Sequence, residues 1–125
     1  MKILYRILLL ATVFTSAANA AESSLNIQAI SAAEINNFRA PESDVVSTGQ
    51  PTADQFKIMA DLGVKHVINL RTPGEDAGFD EKVAVESLGM SYHNIPVSVG
   101  DGGINADNAQ SLQNLLDEFG GDGVV

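Results

Sequence analysis

The sequence predicts an α/β domain built on a parallel sheet, and three observations predict it. An amphipathic, helix-length segment that stops at a glycine and runs into a short β-rich strand occurs at residues 53–70, and the same unit returns at residues 80–97. A third copy starts at Asn105 and reaches Gly123-Val124-Val125, where β-branched residues after a glycine turn read as the opening of a strand. Strands that alternate with helices of this length are joined by right-handed crossovers, so the strands run parallel and the helices pack against the sheet.

At the amino terminus Lys2 and Arg6 flank the apolar run Ile7 to Phe14, which leads into small residues ending Ala18-Asn19-Ala20. This is the pattern of a secretory signal peptide, expected over residues 1–20 and cleaved near Ala20/Ala21. The run is too short for a permanent spanning helix, and no later segment approaches the roughly 20 apolar residues one requires. The chain is therefore expected to be exported, to the bacterial periplasm or beyond, with no membrane span. Residues 21–40, rich in Ala, Ser, Asn and Gln, are expected to form a poorly ordered lead-in with at most a short helix at Ala32 to Phe38. Residues 41–125 are expected to form a single domain.

Within that domain Val45 and Val46 suggest a short strand, and Gly49-Gln50-Pro51 turns the chain. Thr52 with Gln55 three residues on has the spacing of a capping box, in which each side chain satisfies the other's free backbone N–H. Phe56, Met59 and Ala60 share one face of the helix that follows, Gly63 supplies its left-handed stop, and Lys65 to Leu70 reads as a buried strand. Asp80 is the expected cap of the second helix, with Phe79, Val83, Ala84 and Leu88 facing inward, Gly89 as stop and Met90 to Val97 as strand. The third helix places Leu112, Leu115, Leu116 and Phe119 at i, i+3, i+4, i+7 and stops at Gly120-Gly121.

Composition narrows the function. Sixteen acidic residues against seven basic give a formal net charge of −9, and loss of Lys2 and Arg6 makes the remainder more acidic still. Such a chain repels phosphate backbones, which argues against nucleic acid and anionic lipid as partners. The absence of cysteine excludes disulfides and any thiolate chemistry by these 125 residues alone. His66 and His93, beside apolar neighbours on strands, read as hydrogen-bonded core or edge residues. No metal site is expected, because no H-x-x-x-H or E-x-x-H spacing occurs and Asp101 to Asp107 lacks the glycine and ligand alternation of a calcium loop. Ser47 to Pro51 is not a nucleophile elbow, and the glycine clusters lack dinucleotide-binding spacing.

In open parallel sheets ligands bind where the loops converge beyond the carboxyl ends of the strands. The loops in question are Ser47 to Thr52, Arg71 to Asp80 and Ser98 to Asn105. In order and spacing, VVSTGQPT, LGVKHVINLRTPGE, LGMSYHNIPV and the glycine turn before the final valines resemble the beta-lactamase-hydrolase-like protein phosphatase domain. That is a bacterial branch of the protein-tyrosine-phosphatase-like, cysteine-dependent phosphatases, and the resemblance covers Asp44 to Val125.

The resemblance implies a parallel-sheet protein-tyrosine-phosphatase-like domain, here incomplete at its carboxyl end. In that family the strand expected to open at Val124 leads to a loop carrying His-Cys, about five further residues and an Arg, followed by a helix. Backbone N–H groups and the helix N-terminus would cradle the phosphate and favour a thiolate nucleophile, and the arginine would clamp the phosphoryl oxygens. By the same resemblance Asp101 is the candidate general acid, and Arg71 and Glu75 border the site and brace one another. Asp107 reads instead as a helix-dipole carboxylate. The resemblance implies no cofactor, and phosphorylated proteins or small phosphate esters as substrates of the full-length protein. The chain alone is expected to be inactive, and the alternative expectation is a non-catalytic binding or interaction module on the same scaffold.

Overall fold

The computed structural model describes residues 25–125, so the signal peptide expected at 1–20 lies outside the described residues. Along the chain come α1 (Ile27–Ser31), α2 (Ala53–Asp61), β1 (Val64–Asn69), α3 (Glu81–Ser87), β2 (Ser91–Asn94), a 3₁₀ turn at Val99–Asp101, α4 (Ala106–Glu118) and β3 (Gly123–Val124). The three strands form one sheet in the order β2-β1-β3, with both pairings parallel. The architecture is the parallel α/β arrangement expected from the repeated helix-glycine-strand unit. Among the described residues no helix is long and apolar enough to cross a membrane.

Local chemistry explains where the helices begin and stop. At the start of α2 the Gln55 N–H donates to Thr52 Oγ1 at 3.1 Å, and the Thr52 N–H donates to Gln55 Oε1 at 2.9 Å, a complete capping box. Gly63, at φ 106°, takes the left-handed conformation that ends the helix and delivers the chain to β1. Asp80 caps α3 by accepting from the Val83 N–H at 3.1 Å, and Asn105 caps α4 by accepting from Asn108 at 2.8 Å. Phe56 and Met59 are buried under β1 as their spacing predicts.

The inward face of α3 differs from expectation. Val83 is 61% exposed, whereas Val85 is fully buried and Glu81 nearly so. Residues two apart on a helix lie about 200° apart, so only one of these valines can face the sheet. The stripe that does so is Glu81, Val85 and Leu88, continued by Phe79, which meets Phe56 edge-on at 6.3 Å.

The described part of the lead-in also departs from expectation. Its helix falls at Ile27–Ser31 and not at Ala32 to Phe38, and Leu25, Ile30 and Ile35 are buried in the main core. Asn26 caps α1 through the Ala29 N–H, and its own N–H donates to the Leu62 carbonyl at 2.9 Å. Further on, Arg39 and Ser47 exchange two backbone hydrogen bonds of 2.7 and 2.8 Å, and the Gly49 N–H donates to Asn36 at 2.7 Å. This segment therefore fastens the Ser47 to Pro51 loop in place. Val45 forms a single parallel bridge to Val124 in place of the expected strand, and β3 is hydrogen-bonded on both sides, to β1 and to Asp44–Val46.

Candidate functional site

Alternation along β1 puts Val67 and Asn69 on the face covered by α2 and α3, and His66 and Ile68 on the other. Past the carboxyl end of β1 these faces open into two neighbouring cavities. One, of about 520 Å³, is walled by the Val45–Pro51 loop, by Phe56, Val67 and Ile68, by Leu112 and Leu116 of α4, and by Val124 and Val125. The other, of about 420 Å³, lies between the Arg71 to Lys82 segment and Tyr92 and Asn94 of β2. Gln50, Asn69, Arg71 and Glu81 line both.

Those four residues belong to one hydrogen-bonded network. Arg71 Nε donates to Glu75 Oε2 at 3.0 Å, and Arg71 Nη1 donates to Gln50 Oε1 at 2.6 Å. Gln50 Nε2 in turn donates to Glu81 Oε2 at 2.6 Å and to the Pro51 carbonyl at 3.0 Å. Asn69 accepts from the Arg71 backbone N–H at 2.8 Å while its amide donates to the Tyr92 hydroxyl at 2.9 Å. Asn94 closes the turn by donating to the carbonyls of Asn69 and Arg71 at 2.8 and 3.0 Å. The guanidinium, about one-third exposed, thus stands at the junction of the cavities with two of its edges already held.

The electrostatics follow from these bonds. Glu75 Oε1 accepts from the Thr72 backbone N–H and hydroxyl at 2.9 and 3.1 Å. The Thr72 N–H, then Arg71 and the Thr72 hydroxyl, favour its ionised form and hold its carboxyl below the ordinary glutamate value. Burial pushes the Tyr92 phenol above its ordinary value; the charges of Glu81 and Asp80 add to this, and the Asn69 hydrogen bond opposes it.

Of the site residues expected from sequence, Arg71 and Glu75 are brought together as a braced pair at the cavities. Asp101 is not brought to them: it is exposed in the 3₁₀ turn, flanked by Gly102 and Gly103 at φ 93° and 82°, and lines neither cavity. Asp107 lies in the first turn of α4, as its spacing suggests. His66 and His93 lie against Phe119, and His66 is hydrogen-bonded to Ser91 and Asp122, away from both cavities. Gln50, Asn69 and Glu81 are the members that the sequence reading missed. Glu81 directly follows the α3 cap, where an acidic residue ordinarily sits at the surface to suit the helix dipole, yet here it is buried and bonded to the distant Gln50 loop.

No family model matches the chain, and no curated protein matches it. Among solved structures the chain is similar to a Shewanella putrefaciens CN-32 protein described as a "putative phosphatase (DUF442)". In one crystal structure of that protein the identity is 26% and the TM-score 0.66, over 72% of this chain and 59% of that one. In a second structure the values are 27% and 0.67, over 79% and 63%. A Neisseria meningitidis Z2491 protein described as a "putative phosphatase" shares the fold at 22% identity and a TM-score of 0.51, over 61% of this chain and 56% of that one. The present chain thus has a phosphatase-like fold and spans about three-fifths of the length of the Shewanella protein.

Proposed function

We propose that this chain is the amino-terminal part of an exported phosphate-monoester hydrolase of the tyrosine or dual-specificity type. The observation that carries the reading is the junction of two cavities beyond the carboxyl end of β1, rimmed by a fixed arginine, in a fold similar to that of the Shewanella protein. In this reading the nucleophile is a cysteine supplied by chain following β3, since the 125 residues contain none. Its thiolate attacks phosphorus and the ester oxygen leaves with a proton from a general acid. Water then cleaves the cysteinyl phosphate to return the thiolate and release inorganic phosphate.

Arg71 would favour the approach of the dianionic ester at the rim, and Asp101 is the proposed proton donor, carried inward by its glycine-flanked turn. Export rests on Lys2, Arg6, the apolar run Ile7 to Phe14 and the Ala18-Asn19-Ala20 site. Phosphoproteins and small phosphate esters are the proposed substrates of the complete protein.

Two measurements test this. The genomic sequence immediately after the Val125 codon is expected to encode His-Cys and then Arg at the start of a helix, and unrelated sequence in every frame would count against the reading. The purified chain is expected to leave p-nitrophenyl phosphate intact, and an extended chain carrying that loop to hydrolyse it. The lack of cysteine favours one second reading, a non-catalytic binding module on the same scaffold. It predicts that the extension, too, is inactive while the domain unfolds cooperatively.

A further inference from the structure

Nothing in the composition of the chain singles out Glu81, yet among the described residues it is the buried acidic side chain, and it lines both cavities. We propose that Glu81 is a positioning residue: by fixing which end of the Gln50 amide faces Arg71, it holds the guanidinium ready for an oxyanion at the junction of the cavities. The proposal deepens the phosphate-ester reading and rests on it for the identity of the anion.

The argument is one of donors and acceptors. An ionised carboxylate only accepts hydrogen bonds and a guanidinium only donates them, whereas a glutamine amide does both, at opposite ends. Glu81 Oε2 lies 2.6 Å from Gln50 Nε2, so the amino end of Gln50 must face it, and the Pro51 carbonyl at 3.0 Å demands the same orientation. The Gln50 carbonyl is thereby left for Arg71 Nη1, at 2.6 Å. Turning the amide over would set two acceptors against each other on one side and two donors on the other. Glu75 grips Nε from the opposite side at 3.0 Å, so the plane of the guanidinium is fixed at two points. Its Nη2 group has no partner among the described residues, which leaves it to meet a phosphoryl oxygen end-on.

Glu81 acts here through Gln50 and touches no substrate, so the test must read the arginine itself. In a ¹⁵N-labelled chain, rotation of the Arg71 guanidinium about its Cζ–N bonds is measured from line shapes, with and without inorganic phosphate. Glu81→Gln relaxes the constraint on the Gln50 amide, because the new amide can donate or accept and the Pro51 carbonyl alone is left to hold the amino end. Rotation is expected to accelerate about tenfold, the loss expected of one charge-assisted hydrogen bond, while the backbone spectrum is kept. The double exchange Glu81→Gln with Gln50→Glu restores the polarity toward Arg71 and residue 81, since the new carboxylate accepts from both Arg71 and the new amide, while the bond to the Pro51 carbonyl is lost. It is expected to return wild-type rotation.

Unchanged rotation in Glu81→Gln would overturn the proposal, as would a folded double exchange whose arginine stays as free as in the single variant. If the single variant does not fold, the double exchange is read directly against the wild type: equal rotation supports the relay and tenfold faster rotation overturns it. Phosphate is expected to shift the wild-type Arg71 resonances, and to shift them less in Glu81→Gln. Should phosphate leave Arg71 unmoved while Glu81→Gln still frees it, the positioning role stands and the placement of phosphate falls.

Discussion

The imidazole of His66 lies flat on the ring of Phe119, with centroids 3.7 Å apart and planes 5° from parallel. The same imidazole reaches Ser91 Oγ at 2.6 Å through Nδ1 and Asp122 Oδ2 at 3.2 Å through Nε2. Because the carboxylate only accepts, Nε2 carries a proton, and in the neutral ring Nδ1 accepts from the serine hydroxyl. One side chain of β1 thus ties β2, the approach to β3 and the end of α4 together. Phe119→Ala is expected to cost about 3 kcal/mol. His66→Phe, which keeps the stacking and loses the polar contacts, should cost only about 1 kcal/mol. Urea unfolding of both variants checks the order.

That clasp also predicts an acid limb. The hydrogen bond from His66, then the hydrogen bond and the charge of Lys65, lower the Asp122 pKa from its ordinary value. A carboxylate with a depressed folded-state pKa contributes stability that is present above its unfolded-state value and is lost as pH falls through its folded-state value. A small part of any decline in wild-type thermal melts below about pH 4 is therefore expected to come from this half-exposed carboxylate, and Asp122→Asn to remove that part. An unchanged slope in the variant would remove Asp122 from the acid response.

The face of α3 gives a sharper contrast. Val85→Ala deletes two methyl groups from a fully buried site and is expected to cost about 2 kcal/mol, whereas the exposed Val83→Ala should stay within about 0.5 kcal/mol of wild type. Equal effects in denaturant titrations would mean that the helix is turned differently on the sheet.

This pair also marks how far the sequence could be read. The capping box at Thr52 and Gln55, the stops at Gly63 and Gly89, and the caps Asp80 and Asn105 are local chemistry, and each stands where its spacing puts it. A seven-residue helix offers more than one apolar stripe, and only the sheet decides between Val83 and Val85. α1 escaped notice because Leu25, Ile30 and Ile35 are spaced five apart, a period of neither helix nor strand, and they are buried only by packing into the main core. In the site the pairing of Arg71 and Glu75 was expected from the family resemblance, and their closeness within one turn lets it form locally. Gln50 meets Arg71 across 21 residues and Glu81 across 31, and no residue pattern records those contacts before the chain has folded.

Close approach of two backbones makes Gly123 the least replaceable residue of β3. A methyl group there would overlap the Gly63 carbonyl and stand 3.0 Å from Leu25 Cδ1. The carbonyl belongs to the turn that starts β1 and cannot swing aside without loosening the β1–β3 register, in which Val64 pairs with Gly123. Gly123→Ala is expected to cost about 2 kcal/mol, in the middle of the usual range for overpacking, and to speed hydrogen exchange at Val125, whose N–H donates to the His66 carbonyl. Exchange unchanged at Val125 would show that the turn gives way more easily than its bonding suggests.

Glu75 makes the final case, because the three hydrogen bonds of its carboxylate all fall within the segment that carries Arg71. Its carboxylate binds the Thr72 N–H and hydroxyl through one oxygen and Arg71 Nε through the other. A glutamine has one accepting oxygen, so Glu75→Gln must release either the turn or the arginine. The residue is too exposed to govern global stability, and the melting temperature is expected to change little. The local signature is faster exchange of the Thr72 amide together with freer rotation at Arg71. In wild type the same loosening should appear on acidification, since the lowered Glu75 pKa means that its bonds persist below the ordinary glutamate value and fail once pH falls through the folded-state one. Arg71→Lys should leave the Thr72 amide protected yet lose the link to Gln50, because an ammonium is a point charge and cannot span two fixed acceptors as the planar fork does. Opposite responses of one amide to the two substitutions would separate the turn from the arginine it supports.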